Sequence, residues 1–558
     1  MSLFYKSKTP DLSKSVTALG TTFATVATLA FFTLSVPLKA QTTLEELRAH
    51  PEYTASNYLP YPEPDQNVKY TEPPAGYKPF YISHYGRHGS RYHHSADEYK
   101  YIFEILSKAD SAGKLTAKGK EILAAAQILA QKAAPRAGDL TQVGAKQHEG
   151  IARRMAKNFP EMFQARELIT QQKSSSGKLT LKAVKVTPHV DAYASTSGRC
   201  IVSMSAFAAG LRSVAPEVDV SFESGKDLMK FICTFDWNDM DYTRAKNYTA
   251  ESDKLWAAAD PMPIMKRLFS DSSYVAANMD ANVFYNRLFE IYSSLLGMDE
   301  NLLQEIRNVN VGGKSNETSG GKNAGTNRDV PASSKATSDG KKSAFENLFT
   351  VDESITRWQA QNAWWYSLLG TSPLQQTTKG IDYAKGTLQH IIDEADKVIA
   401  AMNKPEASGQ QDSKQNTNGP EISPTTATLR FGHDAGLLPL AGLMQLSIAS
   451  AKVSDLSKLY EQWNDFRVIP MGANLQIIFY KKGEDFKPTA GVKKPKKRAK
   501  MTLPEEKTDA NPADEILVKF LYNEQEITAP IPCEENCPVA PYYRWDDVRN
   551  FYNKILAR

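Results

Sequence analysis

A short apolar run that ends in a cluster of charged residues is the feature that most constrains this sequence. Residues 80–84 have the pattern of a strand, and the turn that follows contains Arg87, His88, Gly89, Ser90 and Arg91. The interior of a strand does not tolerate such a cluster, but a loop at the end of a strand can present it to a ligand. The sequence therefore predicts a strand followed by a binding loop.

The residue types in this turn favour an anionic ligand. Arg87 and Arg91 carry planar, permanently charged donor groups that match the oxygens of a phosphate. His88 lies between them and can serve as a nucleophile, a base or a ligand. Gly89 allows the backbone to come close to whatever is bound.

A metal site is the main alternative for this region. His84, His88, His93 and His94 are four of the nine histidines in the chain. No acidic residue or cysteine lies nearby at the spacing of a ligand set, and the flanking arginines would repel a cation. We therefore expect neither a metal nor another cofactor.

The first 40 residues have the pattern of an export signal. Lys6, Lys8 and Lys14 precede a charge-free run at residues 16–36, and small residues follow up to Ala40. This pattern resembles a bacterial secretory signal that is cleaved between Ala40 and Gln41. The run is long for a signal, so an uncleaved membrane anchor is the alternative. Either way we expect a periplasmic or secreted protein.

The charge of the chain gives no support for nucleic-acid binding. The formal net charge is +4, and residues 1–40 contribute four Lys and one Asp, so the remainder is close to neutral. The basic run at residues 493–500 is more often a solvated loop. No later segment is long and apolar enough to span a membrane, and we expect no stable membrane contact once the signal is cleaved.

The four cysteines allow three disulfide pairings. Cys533 and Cys537 are close together in a proline-rich loop and could pair locally in an oxidising compartment. Cys200 falls in a predicted helix, where burial as a small apolar residue is the simplest expectation. Cys233 remains unassigned.

Most of the chain alternates between helical patterns and loops. Residues 41–79 are rich in Pro and Tyr and predict an extended lead-in on the surface. Helices are predicted at 95–112, from 115 to 132, and from Thr141, placed as an N-cap, to about 158. Residues 222–401 are mostly helical, and the polar segments 310–343 and 403–426 read as loops.

Two further strands are predicted to end in polar loops that lead into helices. The strand at 182–188 leads through small residues at 194–198 into a helix at 199–211, which begins with Arg199. The strand at 427–432 ends in His433 and Asp434 before an apolar helix at 435–449. Late strands are predicted at 475–480 and 517–522.

Three strand ends thus carry polar residues that can meet at one edge of an α/β sheet. The residues at these ends are Arg87, His88, Arg91, Arg199, His433 and Asp434. Three arginines and two histidines would form a pocket for a dianionic phosphoryl group. Asp434 is the acid that a leaving alkoxide needs as a proton donor.

These motifs resemble those of the histidine acid phosphatases, the second branch of the histidine phosphatase superfamily. The turn from Arg87 to Arg91 is similar to the RHGxR signature, and His433 with Asp434 is similar to the HD pair. Residues 140–147 resemble the LTxxGxxQ segment, and residues 195–206 resemble the segment that carries the third arginine. The motifs occur in the order of the family and cover most of residues 75–545.

A subgroup of that family, the multiple inositol polyphosphate phosphatases, shares further features with residues 431–440 and 469–475. The resemblance therefore implies activity on phytate or related inositol polyphosphates. This chain departs from the family at His93, where the family usually has Pro, which alters the rigidity of the loop. It also has His433, Asp434 and Ala435 where the subgroup usually has His-Ala-Glu.

The resemblance implies an α/β fold with a central mixed sheet flanked by helices and a smaller, mostly helical domain inserted between its halves. Its boundaries here would be a signal at 1–40, the first part of the α/β domain at 41–221, the insert at 222–426 and the second part at 427–558. The site would lie between the two domains.

The resemblance also implies roles for individual residues. His88 would attack phosphorus and become a phosphohistidine, and Asp434 would protonate the leaving alcohol. Arg87, Arg91, Arg199 and His433 would hold the phosphoryl oxygens. Substrate-binding candidates at the mouth of the site are His84, His93, His94 and Lys146.

Two other functions stay open. A broad-specificity acid phosphatase acting on sugar phosphates or nucleotides would use the same residues. A phosphate-ester-binding protein would use the same arginines, although binding alone needs neither a nucleophile nor an acid. In every case the expected partner is a small phosphate ester and not a nucleic acid.

Overall fold

The computed structural model describes residues 42–64, 69–173, 179–233, 235, 242–309, 344–375, 380–402, 421–482, 516–535 and 537–558. The predicted signal at 1–40, the predicted loop at 310–343 and the basic run at 493–500 lie outside these residues. Residues 403–420 of the second predicted loop lie outside them as well. Within the described residues, no helix is long and apolar enough to cross a membrane.

The strands, in chain order, are β1 (Tyr77–Arg87), β2 (Arg166–Lys173), β3 (Leu179–Val186), β4 (His189–Ala194), β5 (Asp219–Ser224), β6 (Glu421–Ile422), β7 (Thr425–Gly432), β8 (Asn474–Lys482), β9 (Ile516–Tyr522), β10 (Gln525–Ile527) and β11 (Tyr543–Arg544). The first six helices are α1 (Leu44–Ala49), α2 (Ala96–Ser111), α3 (Ala117–Ile128), α4 (Gln142–Asn158), α5 (Gly198–Val214) and α6 (Met229–Ile232). The next seven are α7 (Tyr242–Ala258), α8 (Met262–Leu268), α9 (Ser272–Asn278), α10 (Ala281–Ser294), α11 (Glu300–Arg307), α12 (Val351–Leu369) and α13 (Lys385–Met402). The last three are α14 (Asp434–Leu443), α15 (Asp465–Val468) and α16 (Trp545–Leu556).

Eight of the described strands form one mixed sheet, which confirms the predicted fold class. The order is β10-β9-β8-β1-β7-β4-β5, with β11 paired to β9. Strands β1, β7, β4 and β5 run parallel to one another, whereas β8 and β9 run antiparallel to their neighbours. The carboxyl ends of β1, β7 and β4 therefore lie at the same edge. Strands β2, β3 and β6 form a separate small sheet.

Helices cover both faces of the large sheet. Successive residues of a strand point to opposite faces, and in β1 the buried Tyr81 belongs to one apolar core while Ile82 belongs to another. The first core also contains residues of α12, α13, α14 and α16, and the second contains residues of α4 and α5. Helices on both faces explain why β1 and β7 are buried along most of their length, the polar residues of β7 included.

A third core lies apart from the sheet and is made by helices. It joins Tyr99 of α2 and Ile122 of α3 to Phe284 and Leu288 of α10. Helices α2 and α3 thus share a core with part of the predicted insert, whereas α12 and α13, within the same predicted insert, pack on the sheet. The proposed division into domains stays a prediction.

The local signals for helix starts are confirmed. Ser95, Thr116 and Thr141 each cap the helix that follows, because their side-chain oxygens accept a bond from a backbone N–H group in the first turn. The strands predicted at 80–84, 427–432, 475–480 and 517–522 are all present and somewhat longer than predicted.

Several predicted elements need correction. The segment 41–79 is not a surface lead-in, because it forms α1 and a 3-10 segment, Pro51–Tyr58, and buries Leu47 and Tyr58. The strand predicted at 182–188 is β3 of the small sheet, and the chain passes through Pro188 into β4, which joins the large sheet. Helix α14 ends at Leu443, earlier than predicted. Residues 421–426 are not loop, because β6 and the start of β7 lie there.

The structure confirms what the sequence suggests for three of the four cysteines. Cys533 and Cys537 form a disulfide, and Cys200 is a buried free thiol in α5. Cys233 is buried as well, and it lies beside the candidate site described below.

We predict that His189, at the start of β4, stabilises the fold in a pH-dependent way. Its Nδ1 lies 2.8 Å from Asp219 and its Nε2 lies 3.1 Å from Asp191. The bond to Asp191 outweighs burial and, with the bond to Asp219, raises the pKa of His189 to about 9. A raised pKa contributes stability that is complete below the unfolded value of about 6.5 and is lost as the pH rises through about 9.

His189→Ala should therefore lower the free energy of unfolding by about 1–2 kcal/mol near pH 6, after a discount because Asp219 is largely exposed. The loss should be clearly smaller near pH 10. Denaturant unfolding at the two pH values measures both. His50→Ala is the control, since the carboxylate that lies beside His50, that of Glu52, is exposed to solvent. An equal loss at the two pH values would contradict this prediction.

Candidate active site

The parallel register of the sheet brings the three predicted loops together. Arg87, the last residue of β1, pairs with Gly432, the last residue of β7. His433 follows as the N-cap of α14, and Ala194 at the end of β4 pairs with the residue before Gly432. The loop after β4 leads directly into α5, whose second residue is Arg199. All three polar ends therefore meet at one edge, as the sequence predicts.

A cavity of about 1130 Å³ opens at this edge. Its lining includes His88, Arg91, Arg199, His433 and Asp434 from the three loops. The opposite side is lined by residues of helices α6, α10 and α12 and of the segment before α7. These residues include Met229, Lys230, Phe235, Phe289, Glu290, Ser293, Arg357, Gln361, Trp364 and Trp365.

Helix α4 holds the charged turn in place. Ser90 donates its N–H to Oε1 of Gln147 at 2.8 Å, and Nε2 of Gln147 donates to Oγ of Ser90 at 2.9 Å. The hydroxyl of Thr141 donates to the carbonyl of Ser90 at 3.0 Å. Gly89 and Gly144 touch so closely that a Cβ on either would overlap the backbone of the other segment. The LTxxGxxQ residues Thr141, Gly144 and Gln147 thus position the turn.

His88 is buried and its ring is fixed in one tautomer. Its Nδ1 lies 2.9 Å from the carbonyl of Gly89, which can only accept, so Nδ1 carries the hydrogen and Nε2 keeps its lone pair. Burial, together with the charges of Arg199 and Arg87, lowers the pKa of His88 well below its ordinary value. The ring is therefore neutral and nucleophilic.

The three arginines occupy different depths. Arg91 and Arg199 line the cavity, and Arg91 lies over the ring of Tyr58 at 5.2 Å. Arg87 is completely buried behind the lining, where it donates to the carbonyl of Asn57 at 2.6 Å and forms an ion pair with Asp434 at 2.7 Å. The Nε atoms of all three arginines are buried and have no hydrogen-bond partner within the described residues. Donors of this kind suit an anion.

His433 is tied to both neighbouring loops. Arg199 donates to its Nδ1 at 3.3 Å, so its Nε2 carries the hydrogen and donates to Oγ of Ser195 at 2.9 Å. Burial, and then the charge of Arg199, lowers the pKa of His433 to about 3. The ring therefore stays neutral beside the arginines.

Asp434 is ionised in this arrangement. Burial opposes its charge, but Arg87 and Arg91 outweigh burial and lower the pKa of Asp434 to about 2. Asn57 donates its Nδ2 to Oδ2 of Asp434 at 3.0 Å and fixes the carboxylate. Asp434, which the sequence predicts as the proton donor, is therefore a carboxylate in the site without substrate.

The four predicted residues at the mouth have different positions. His94 lines the cavity. His84 does not lie at the mouth, because it is buried in β1 against Phe207 and Phe431. His93 is also buried, behind the cavity wall, where Nε2 lies 3.2 Å from Glu290.

Lys146 is exposed on α4 and is not among the residues that line the cavity. Thr141, the N-cap of helix α4, faces the charged turn together with Gly144 and Gln147 of the helix. Consecutive residues of a helix point in different directions, so Lys146, the residue before Gln147, does not face the turn. The prediction for Lys146 as a mouth residue is therefore wrong in its position.

Two groups of lining residues are not marked by any signal in the sequence. Asn57 and Tyr58 come from the segment predicted as a surface lead-in, and no motif marks them. Glu290 and Arg357 come from helices α10 and α12, where charged residues ordinarily indicate a solvated face. Within the described residues, no group of His, Cys, Asp and Glu has the arrangement of a metal site.

Comparisons with known proteins agree with this geometry. A family model described as histidine phosphatase superfamily (branch 2) matches residues 86–523. Among curated proteins, no sequence matches the chain. The Bifidobacterium longum multiple inositol polyphosphate phosphatase in complex with phosphate is similar in structure, with a TM-score of 0.57 and 17% identity over 90% of this chain and 97% of that one.

Two further solved structures are similar. The same Bifidobacterium longum enzyme in complex with inositol hexasulfate has a TM-score of 0.55 and 16% identity, over 88% of this chain and 96% of that one. The phytase from D. castellii has a TM-score of 0.51 and 13% identity, over 91% of this chain and 85% of that one. At these identities the likeness establishes the fold.

We predict that Gly144→Ala displaces the charged turn. The new Cβ would overlap the carbonyl oxygen and the backbone nitrogen of Ser90, and these main-chain atoms cannot move without the rest of the turn. The substitution should lower the free energy of unfolding by about 1–3 kcal/mol and weaken the binding of inorganic phosphate measured by calorimetry.

Gly150→Ala on the same helix is the matched control. Its Cβ would lie 3.0 Å from the end of the Arg154 side chain, and a shift of this side-chain end by a few tenths of an ångström, small enough to keep its ion pairs with Glu63 and Glu524, relieves the contact. Alanine in a helix should then leave stability unchanged or raise it by up to about 1 kcal/mol. Equal effects of the two substitutions on phosphate binding would contradict the positioning role of Gly144.

Proposed function

The chain belongs to the histidine phosphatase superfamily (branch 2) and is a phosphatase, and we propose that it hydrolyses phosphate monoesters through a phosphohistidine on His88. The observation that carries this proposal is the neutral Nε2 of His88 at the cavity, surrounded by guanidinium groups and beside the carboxyl group of Asp434. A nucleophile and an acid at one anion site serve turnover, and binding alone requires neither.

In the first step, Nε2 of His88 attacks phosphorus in line with the ester oxygen. The N–P bond forms as the P–O bond to the leaving alcohol breaks. Arg91 and Arg199 hold the phosphoryl oxygens from the cavity wall, and Arg87 adds its charge from behind. His433 joins them when the hydrogen on its Nε2, which points to Ser195 in the free site, turns to a phosphoryl oxygen. A proton on Asp434 passes to the leaving oxygen, so that the alcohol departs neutral.

In the second step, water attacks the phosphohistidine. The carboxylate of Asp434 takes a proton from the water as the O–P bond forms and the N–P bond breaks. Inorganic phosphate is released, and His88 returns to its neutral form. The bond from Nδ1 of His88 to Gly89 keeps the ring in the same orientation throughout.

We further propose that inositol polyphosphates such as phytate are the preferred substrates. The cavity, at about 1130 Å³, exceeds what one phosphoryl group requires, and it offers cationic groups beyond those of the three loops, namely Lys230 and Arg357. The similar Bifidobacterium longum structure with inositol hexasulfate supports this proposal, since sulfate groups mimic phosphate groups there.

A broad-specificity phosphatase is the second candidate. Tyr58, Phe235, Phe289 and Trp364 line the cavity and provide apolar surface that would suit a nucleobase or an aromatic alcohol. A substrate panel distinguishes the two candidates directly.

We also propose export to the periplasm or beyond the cell. The pattern of residues 1–40 and the disulfide between Cys533 and Cys537 support it, because disulfides persist in oxidising compartments. N-terminal sequencing of the mature protein distinguishes cleavage after Ala40 from an uncleaved anchor.

The first test compares turnover by the wild type and by His88→Ala. The wild type, freed of metals with EDTA, should release phosphate from phytate in preference to p-nitrophenyl phosphate, glucose phosphates and nucleotides. His88→Ala should lose roughly 10³-fold or more of kcat, because no nucleophile remains, while it still binds inorganic phosphate. Comparable turnover of every substrate would favour the broad-specificity enzyme, and no turnover of any would favour a binding protein.

The second test concerns pH. Asp434 is ionised in the free site, with a pKa of about 2, so the proton that it later donates must arrive with the substrate. A phosphate monoester monoanion carries that proton below its own second pKa of about 6. We expect kcat/KM to be level between about pH 3 and about pH 6 and to fall about tenfold per pH unit above it.

Asp434→Asn checks the same assignment. It should lower kcat for an inositol phosphate by about 10²–10⁴-fold, and much less for p-nitrophenyl phosphate, whose leaving group needs no proton. A value of kcat/KM that rises through neutral pH, or equal losses on the two substrates, would exclude Asp434 as the acid.

A further inference from the structure

Glu290 places a carboxylate on the wall of a cavity that otherwise favours anions. It lies on α10 and lines the cavity beside Phe289 and Ser293, and its side chain is 35% exposed. A carboxylate repels phosphate groups and can only accept hydrogen bonds when ionised. Its presence needs a physical reason, because it works against the binding of a polyanion.

Buried partners hold this carboxylate in position. Nε2 of His93, which has no exposed side-chain surface, lies 3.2 Å from Oε2 of Glu290. Nη2 of Arg357, a nearly fully buried residue of α12, lies 3.7 Å from Oε1, outside hydrogen-bond distance. The guanidinium of Arg357 is itself fixed over the ring of Trp256 at 4.0 Å. Oε1 therefore retains acceptor capacity at the cavity.

The charge of Glu290 is maintained. Burial would raise its pKa, but the bond from His93 and the charge of Arg357 outweigh burial and lower the pKa. Glu290 is therefore more acidic than an ordinary glutamate, which favours its charged form.

Glu290 is close to the phosphoryl-binding groups through a short chain of contacts. Arg91 lies over the ring of Tyr58 at 5.2 Å, and that ring stacks with His93 at 6.0 Å. The ring of His94, on the cavity wall, is 4.2 Å from that of His93. Arg91, His94 and Glu290 thus line neighbouring parts of one cavity, so a substrate larger than a single phosphoryl group can contact Arg91 and Glu290 together.

We propose that Glu290 is a specificity-determining residue that accepts a hydrogen bond from a free hydroxyl group of the substrate. A phosphate group at that place would face the negative charge of Glu290, whereas a hydroxyl group would donate to Oε1. Within the proposed substrate class of inositol polyphosphates, the enzyme thereby favours partly phosphorylated members over phytate itself, the hexakisphosphate. This inference rests on the proposed function. It adds that the enzyme distinguishes inositol phosphates by how many phosphate groups they carry.

The test measures kcat/KM of the wild type and of Glu290→Gln for two probes, inositol hexakisphosphate and an inositol trisphosphate. Glutamine keeps the shape and removes the charge. The ratio of kcat/KM, hexakisphosphate over trisphosphate, should rise about tenfold or more in Glu290→Gln, mainly through KM for the hexakisphosphate. A purely structural role would lower both values in parallel and leave the ratio unchanged.

Glu98→Gln is the matched control. Glu98 lies on α2, pairs with Arg287 at 3.3 Å, is 18% exposed, and is not among the residues that line the cavity. Its removal should leave the ratio as in the wild type, although it removes the same charge from the same part of the fold.

The outcomes separate the two proposals. If the wild type hydrolyses both inositol phosphates and Glu290→Gln leaves the ratio unchanged, the role of Glu290 is wrong and the proposed function stands. If the wild type hydrolyses p-nitrophenyl phosphate but neither inositol phosphate, the proposed substrate class is wrong, and the inference about Glu290 fails with it. A rise in the ratio that Glu98→Gln reproduces would also overturn the inference.

Discussion

The parallel pairing of β1 with β7 determines where every reactive group of this protein can lie. The pairing sets Arg87 beside Gly432, so the turn after β1 and the start of α14 emerge at the same edge of the sheet. Arg87 then bonds the carbonyl of Asn57 and pairs with Asp434, which brings a third, distant segment into the same layer. A shift of one residue in this register would turn each side chain to the opposite face. The positions of the side chains in the site are therefore determined by the register of the backbone.

The electrostatics of the site follow from a surplus of buried positive charge. Arg87, Arg91 and Arg199 lie at or behind the wall of one cavity, where Asp434 is the opposing charge that the three loops supply. Such a space favours an incoming dianion and also keeps His88 neutral. In the proposed mechanism, the same charges bind the substrate and keep His88 in its reactive form. They also hold Asp434 ionised until the substrate arrives, which would couple proton delivery to binding.

The sequence predicted those parts of the fold and site that depend on local order. Strand ends, N-caps and the spacing from Arg87 to Arg91 are encoded within a few residues, and the family resemblance linked the distant motifs. Asn57 and Glu290 could not be predicted in this way, because their positions depend on contacts with segments far along the chain. His84 was misplaced for a related reason: it alternates with its neighbours along β1 and faces Phe207 in the core, not the edge of the sheet. The residue types of β1 alone do not show which side chains face the core and which face the site, because both faces of the strand are buried.

The central strand also has a consequence for how the chain acquires its structure. Strand β1 lies between β7 and β8, which are synthesised hundreds of residues later. Helices α2 and α3 likewise complete their core with α10, far beyond them in sequence. Closing such long loops is slow, and until it happens an apolar strand has two unpaired edges. A chain of this topology exposes β1 to self-association until the strands from its carboxyl-terminal part are available to pair with it.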